Sequence, residues 1–172
     1  MGQYIPFERI GELEKKIRNE KEKGKILVMT GGTFDLLHIG HAYFLENCKK
    51  YGDILVVNVV NTGRVKFHKR DDVIPRPVHA DEYRASMVAK LDSVDYATIH
   101  PEHGKSPTIE LAILLKPHIL VRGEDGWTRE GSKEVRDYLG YNVKLKVVRR
   151  VQDISSTRLF SSLRINESYA LY

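Results

Sequence analysis

A single cysteine, Cys48, excludes an intrachain disulfide and a thiolate metal cluster. Set in LENCKK, a stretch that reads as helical, it is expected to be half-buried and inert. No apolar run approaches the roughly 20 residues that a membrane-spanning helix needs. The opening MGQYIPFERIGELEKK lacks the apolar centre of a secretory signal, and Pro6 stands where a myristoylation pattern wants Ser or Thr. A cytoplasmic protein is expected, with no membrane partner. Internal repeats, low-complexity tracts and signs of a second domain are also missing.

What the 172 residues do have is a surplus of positive charge, 28 Lys and Arg against 23 Asp and Glu. A net +5 suits an anionic partner, either nucleic acid or a phosphorylated metabolite. Much of the surplus falls in one stretch, Arg64 to Arg76, rather than along a helix face. A basic segment without interleaved aromatics points to small-phosphate binding or solubility, so nucleic acid is not the expected partner.

Residues 7–23 read as a charged amphipathic helix with a one-sided stripe of Phe7, Ile10, Leu13 and Ile17. The stripe is expected to pack on the domain rim or on a second subunit, and together with the family resemblance given below it makes a homodimer the expectation. KILVMT (25–30) is then a nearly continuous apolar run, as in a strand buried on both faces. Helices expected near 39–50, 81–91, 108–115, 131–139 and 156–164 alternate with strands at 53–60, 94–99, 118–123 and 143–148. Such alternation predicts a doubly wound, Rossmann-like α/β domain with a parallel five-stranded sheet. It divides the chain into a leader helix (1–24), the domain (25–165) and a tail (166–172). The longest gap without regular structure, 62–80, is long enough to be functional.

The strongest local signal follows the first strand: Gly31-Gly32-Thr33-Phe34-Asp35-Leu36-Leu37-His38-Ile39-Gly40-His41. Glycines after a buried strand admit close backbone approach, and the next helix N-terminus offers N–H groups and a positive dipole end to a phosphate. His38 and His41, three apart around Gly40, can lie on one side of that phosphate. A phosphoryl group under attack spreads charge over its oxygens and is stabilised by donors fixed in advance. Metal ligation would want a third ligand, and no nearby cysteine or patterned carboxylate supplies one.

The stretch GGTFDLLHIGHAYFLENCKKYGDILVV resembles the G-x-F-D-x-x-H-x-G-H signature of the cytidylyltransferase-like nucleotidyltransferases. Three further segments appear in that family's order: Arg76-Pro77 with Glu82-Tyr83-Arg84, then Val121-Arg122-Gly123-Glu124-Asp125, then Ile154-Ser155-Ser156-Thr157. The resemblance implies that Gly32, Thr33, Phe34, His38, His41, Arg122, Gly123, Glu124, Asp125, Ile154, Ser155, Ser156 and Thr157 border the nucleotide. Asp35, Arg76, Arg84 and Trp127 are the acceptor-side candidates. Lys66, Lys69 and Arg70 lie where they can close over the leaving phosphates, Lys69 as a catalytic residue. Mg²⁺ is the implied cofactor, bridging phosphates rather than sitting in a protein cage.

Within the family, Arg122 to Val135 (RGEDGWTREGSKEV) most resembles the adenylyltransferase domain that activates heptose 1-phosphate. The implied reaction transfers AMP from ATP to a phosphorylated small molecule and releases pyrophosphate. Glycerol-3-phosphate cytidylyltransferases, which use CTP, and FAD synthetases share parts of the pattern; a non-catalytic nucleotide-binding domain is the alternative of another kind. HIGH is also a class I aminoacyl-tRNA synthetase signature, but the length leaves no room for a tRNA-binding domain and no KMSKS-type loop is present.

Overall fold

The apolar runs become the strands of a parallel sheet in the computed structural model, which describes residues 2–68, 76–101, 106–124, 129–149 and 159. In chain order the elements are β1 (Gln3–Tyr4), α1 (Ile10–Glu22), β2 (Leu27–Gly32), α2 (Ile39–Lys49), β3 (Ile54–Val59) and α3 (Thr62–His68). They continue as α4 (Asp81–Ala89), β4 (Tyr96–Thr98), α5 (Pro107–Leu115), β5 (Ile119–Gly123), α6 (Arg129–Leu139) and β6 (Lys144–Val148). A 3₁₀ turn, Phe7–Arg9, leads into α1. The helix expected at 156–164 falls outside the described residues except for Leu159, which is helical.

The sheet has six strands in the order β1-β4-β3-β2-β5-β6, and all its pairings are parallel. One strand more than expected is present, because Gln3 and Tyr4 pair with Tyr96 and Ala97 at the sheet edge. Two residues are too few to show an apolar period. The expected gap at 62–80 likewise begins with a helix, α3, whose first turn contains Gly63 and whose composition is basic. β2 is central, with β3 and β4 added on one side and β5 and β6 on the other. The carboxyl ends of β2 and β5 therefore flank the point where strand order reverses, which is where such sheets hold ligands.

Side-chain alternation sorts the core onto two faces. Val28, Leu55, Val57 and Val59 pack with Leu45 of α2 and with Ala85 and Val88 of α4. Leu27, Met29 and Val56 pack with Leu13 and Ile17 of α1, Leu111 and Leu115 of α5, and Leu139 of α6. The stripe of α1 is thus buried within the chain: Leu13 is 0% and Ile17 2% exposed, Ile10 packs beside them, and Phe7 meets the His100 ring. It is accounted for without a second subunit, which removes one of the two grounds for the dimer expectation and leaves the family resemblance as the other. No described helix is long and apolar enough to cross a membrane.

The amino edge of the sheet is tied by side chains that accept backbone N–H groups. Leu27 N donates to His118 Nδ1 at 2.9 Å, and Ile26 N to Asp53 Oδ2 at 2.7 Å. Burial, and secondarily Lys21, holds the His118 imidazole below its ordinary pKa; burial does the same to His38. Both rings protonate more readily in the unfolded chain, so the stability they contribute is present above about pH 6.5 and is lost as the pH falls below it. The thermal midpoint is expected to drop between about pH 7 and pH 5, before most carboxylates titrate. A His118→Gln chain should show a flatter profile over that range in a calorimetric pH series. An unchanged slope would remove His118 from the account.

Candidate active site

At the carboxyl end of β2 the backbone leaves the sheet through Gly31 and Gly32 into the turn that starts α2. A Cβ on Gly31 would lie 2.1 Å from Thr108 Oγ1, the hydroxyl that accepts a 3.1 Å bond from Asn58 Nδ2. Gly31→Ala therefore has to displace a hydrogen-bonded side chain at the start of α5. It is expected to cost about 1–3 kcal/mol in denaturant unfolding, as overpacking does. Phe34 then takes a left-handed φ of 47°, strained for a large residue, while its ring is only 3% exposed. This turn aims the chain so that His38, in extended conformation, stands immediately before α2.

The two imidazoles stack with centroids 3.8 Å apart and planes 24° off parallel. His38 N donates to His41 Nδ1 at 3.3 Å, so a neutral His41 ring carries its proton on Nε2 and donates from there. The Phe34 ring meets His41 edge-on at 5.2 Å and fixes its tilt. His38 Nδ1 is buried with no hydrogen-bond partner among the described residues, and burial lowers the ring's pKa, favouring the neutral form. Both rings sit at the positive end of α2, where a phosphate oxygen is stabilised.

Across the crevice, β5 ends in Arg122 and Gly123, one residue beyond the Thr30–Val121 pairing. Arg122 is half-buried, and desolvation pushes its pKa down; an anionic ligand there offsets that cost. Gly32, Thr33, His38, His41, Arg122 and Gly123 thus share the carboxyl side of β2 and β5. Glu124 follows them, exposed, and Lys66 is exposed on α3. Lys69, Arg70, Asp125, Trp127, Ile154, Ser155, Ser156 and Thr157 lie outside the described residues.

The sequence reading puts Asp35, Arg76 and Arg84 on the acceptor side, but the structure buries all three beneath the turn. The Asp35 carboxylate accepts from Val78 N at 2.7 Å, His79 N at 3.4 Å and Arg76 Nε at 3.3 Å. Arg84 is 0% exposed and donates to the carbonyls of Thr33, Val60 and His79. A buried charge is tolerated only when paired and hydrogen-bonded, which these contacts provide. Sequence reading missed Asn58 and Thr108, the pair behind Gly31; its one available signal was the lone polar residue inside ILVVNVV. Cys48 is buried and its thiol is pushed up to about 12, inert as expected. Among the described residues no three His, Cys, Asp or Glu side chains converge to hold a metal ion.

Residues 29–167 match the family model described as cytidylyltransferase-like. The chain belongs to the cytidylyltransferase-like family. Its HIGH motif and strand order are therefore those of a nucleotidyltransferase, an enzyme. Among curated relatives, the bifunctional protein HldE of Aliarcobacter butzleri is 37% identical over 94% of this chain, and that of Campylobacter fetus 38% over 92%. The chain spans about a third of their length, 31% and 32%. Among solved structures, a lipopolysaccharide core biosynthesis protein from Thermoplasma volcanium is 30% identical, with a TM-score of 0.62 over 75% of this chain and all of that one. Pantothenate synthetase from Thermus thermophilus has a TM-score of 0.64 over 96% of this chain and 70% of its own, at 15% identity, a likeness of fold alone.

Proposed function

We propose that this enzyme transfers AMP from ATP to a sugar phosphate of the heptose 1-phosphate type, releasing pyrophosphate. One observation carries the reading: a stacked imidazole pair at the helix N-terminus that follows β2, with a half-buried arginine at the end of the neighbouring β5, at the strand-order reversal. The resemblance to HldE over most of the chain, and not to one motif alone, favours ATP and a sugar phosphate within that chemistry.

An acceptor phosphate oxygen, already ionised at neutral pH, attacks the α-phosphorus of ATP in line. The bond from that phosphorus to the bridging oxygen breaks, and the electron pair leaves with pyrophosphate. No protein nucleophile or covalent intermediate is required. His38 and His41 donate hydrogen bonds to the α-phosphate oxygens as charge accumulates there, and α2 adds its dipole. Arg122 attracts and orients phosphate, and Lys66, with Lys69 and Arg70, neutralises the leaving end. The described residues do not form a cage for Mg²⁺. The ion is accordingly taken as part of the triphosphate substrate, held by phosphate oxygens and water. ATP as donor favours the cytoplasm as the site of the reaction.

Pyrophosphate release with each nucleoside triphosphate against heptose 1-phosphate, other sugar 1-phosphates, glycerol 3-phosphate and FMN tests the reading. Turnover with ATP and a sugar 1-phosphate is expected. Preference for CTP with glycerol 3-phosphate, or for ATP with FMN, would replace the acceptor. Absence of turnover with tight nucleotide binding would make the chain a regulatory nucleotide-binding domain.

A further inference from the structure

We propose that Arg84, fully buried, is a positioning residue that sets the pose of the imidazole pair and ties it to the chain on either side of residues 69–75. This rests on the catalytic reading of His38 and His41 given above. The guanidinium lies where three stretches of chain meet. Nη1 donates to Thr33 O at 2.5 Å and to Val60 O at 2.9 Å, and Nε to His79 O at 3.1 Å. Nη2 donates to Asp81 Oδ1 at 2.6 Å. A planar fork can hold several carbonyls in one fixed geometry, which a lysine cannot do.

Thr33 precedes Phe34, the residue with left-handed φ, so holding the Thr33 carbonyl fixes one end of the strained peptide turn. The Phe34 ring in turn supports His41, and His41 supports His38 by stacking. A shift of the Thr33 carbonyl is therefore passed to both imidazoles through contacts that leave no slack. The second arm of the hub runs through Asp81. Its carboxylate accepts from Thr62 N at 3.0 Å and from the Thr62 hydroxyl, at the first residue of α3. The chain after residue 75 is bound to the same turn from the other side, because Asp35 takes the N–H groups of Val78 and His79. The described residues flanking 69–75 are thus fastened on both sides to the turn that carries the histidines. Arg84 and Asp81 supply one fastening, and Asp35 the other.

The test combines kinetics with an imidazole signal that needs no substrate. In Arg84→Lys and Thr62→Val, the Hε1 resonances of His38 and His41 are followed by NMR without ligand, and kcat and KM for ATP are measured well below the thermal midpoint. Ile17→Val, in the core on the opposite face of the sheet, controls for lost stability alone. Arg84→Lys is expected to shift the His41 resonance and to lower kcat about 10²-fold, the effect of a misplacement near 1 Å, with a much smaller change in KM. Thr62→Val should move the same resonance in the same direction, by less, and lower kcat more modestly. Combined with Arg84→Lys it should add less than its single effect, because both act through Asp81. Should Arg84→Lys fail to fold, the displaced His41 signal in Thr62→Val, absent from Ile17→Val, still supports the relay. Unmoved imidazole resonances and wild-type kcat in the folded variants would overturn it. Because the resonances are read without ATP or acceptor, the wrong choice of substrate cannot mimic that failure.

Discussion

His38→Ala and His41→Ala are each expected to lower kcat about 10²–10³-fold, the loss that follows removal of one preorganised donor to a developing charge. Neither change is expected to unfold the protein. Both rings are half-exposed, and the His38 Nδ1 has no partner to lose among the described residues. His41 accepts a 3.3 Å bond from the His38 N–H at a helix terminus that water can reach. Circular dichroism should therefore be unchanged, and the deficit should appear in kcat more than in KM, because the donors act most strongly as charge builds in the transition state. The rings stack at 3.8 Å, so each holds the other in place, and their losses should not be additive. Steady-state pyrophosphate release from the two single variants and the double variant checks this. Wild-type rates in both single variants would take the pair out of the mechanism.

Asp35→Ala is expected to act differently, through stability. The carboxylate is fully buried, and its removal leaves the Arg76 guanidinium, itself 6% exposed, without that counter-charge. Two backbone N–H groups, those of Val78 and His79, lose their acceptor as well. Breaking one side of a buried ion pair costs about 3–5 kcal/mol. For a chain of this size that corresponds to a fall on the order of 10 °C in the thermal midpoint. The acceptor-binding role read from sequence makes the opposite forecast: an unchanged midpoint and a raised KM for the sugar phosphate. Thermal unfolding and a KM determination on one preparation separate the two.

The glycine–histidine turn after β2 was the most legible part of the chain because its pattern is local. Gly31, Gly32, the histidine pair and the helix start are consecutive in sequence and adjacent in space. The strands beginning near residues 27, 54 and 119 were legible too, since burial on both faces leaves continuous apolar runs. What escaped was whatever depends on distant partners. The edge strand Gln3–Tyr4 is held by pairing to Tyr96 and Ala97 and carries no pattern of its own. The resemblance picked out Arg84 as an acceptor-side candidate, but its burial is set by the carbonyls of Thr33 and Val60, 51 and 24 residues away, which converge on it. The stripe on α1 was seen correctly but left with two possible partners, the domain or a second subunit, because a period of 3.6 says that a face is covered and not by what.

The most direct test of the central claim is a crystal structure of the protein with α,β-methylene-ATP, which presents the α-phosphate without allowing cleavage. The expected density places that phosphate between the N-terminus of α2 and Arg122, within hydrogen-bond distance of the His38 and His41 imidazoles. A triphosphate held elsewhere on the fold, or imidazoles turned into the core while it is bound, would contradict the account.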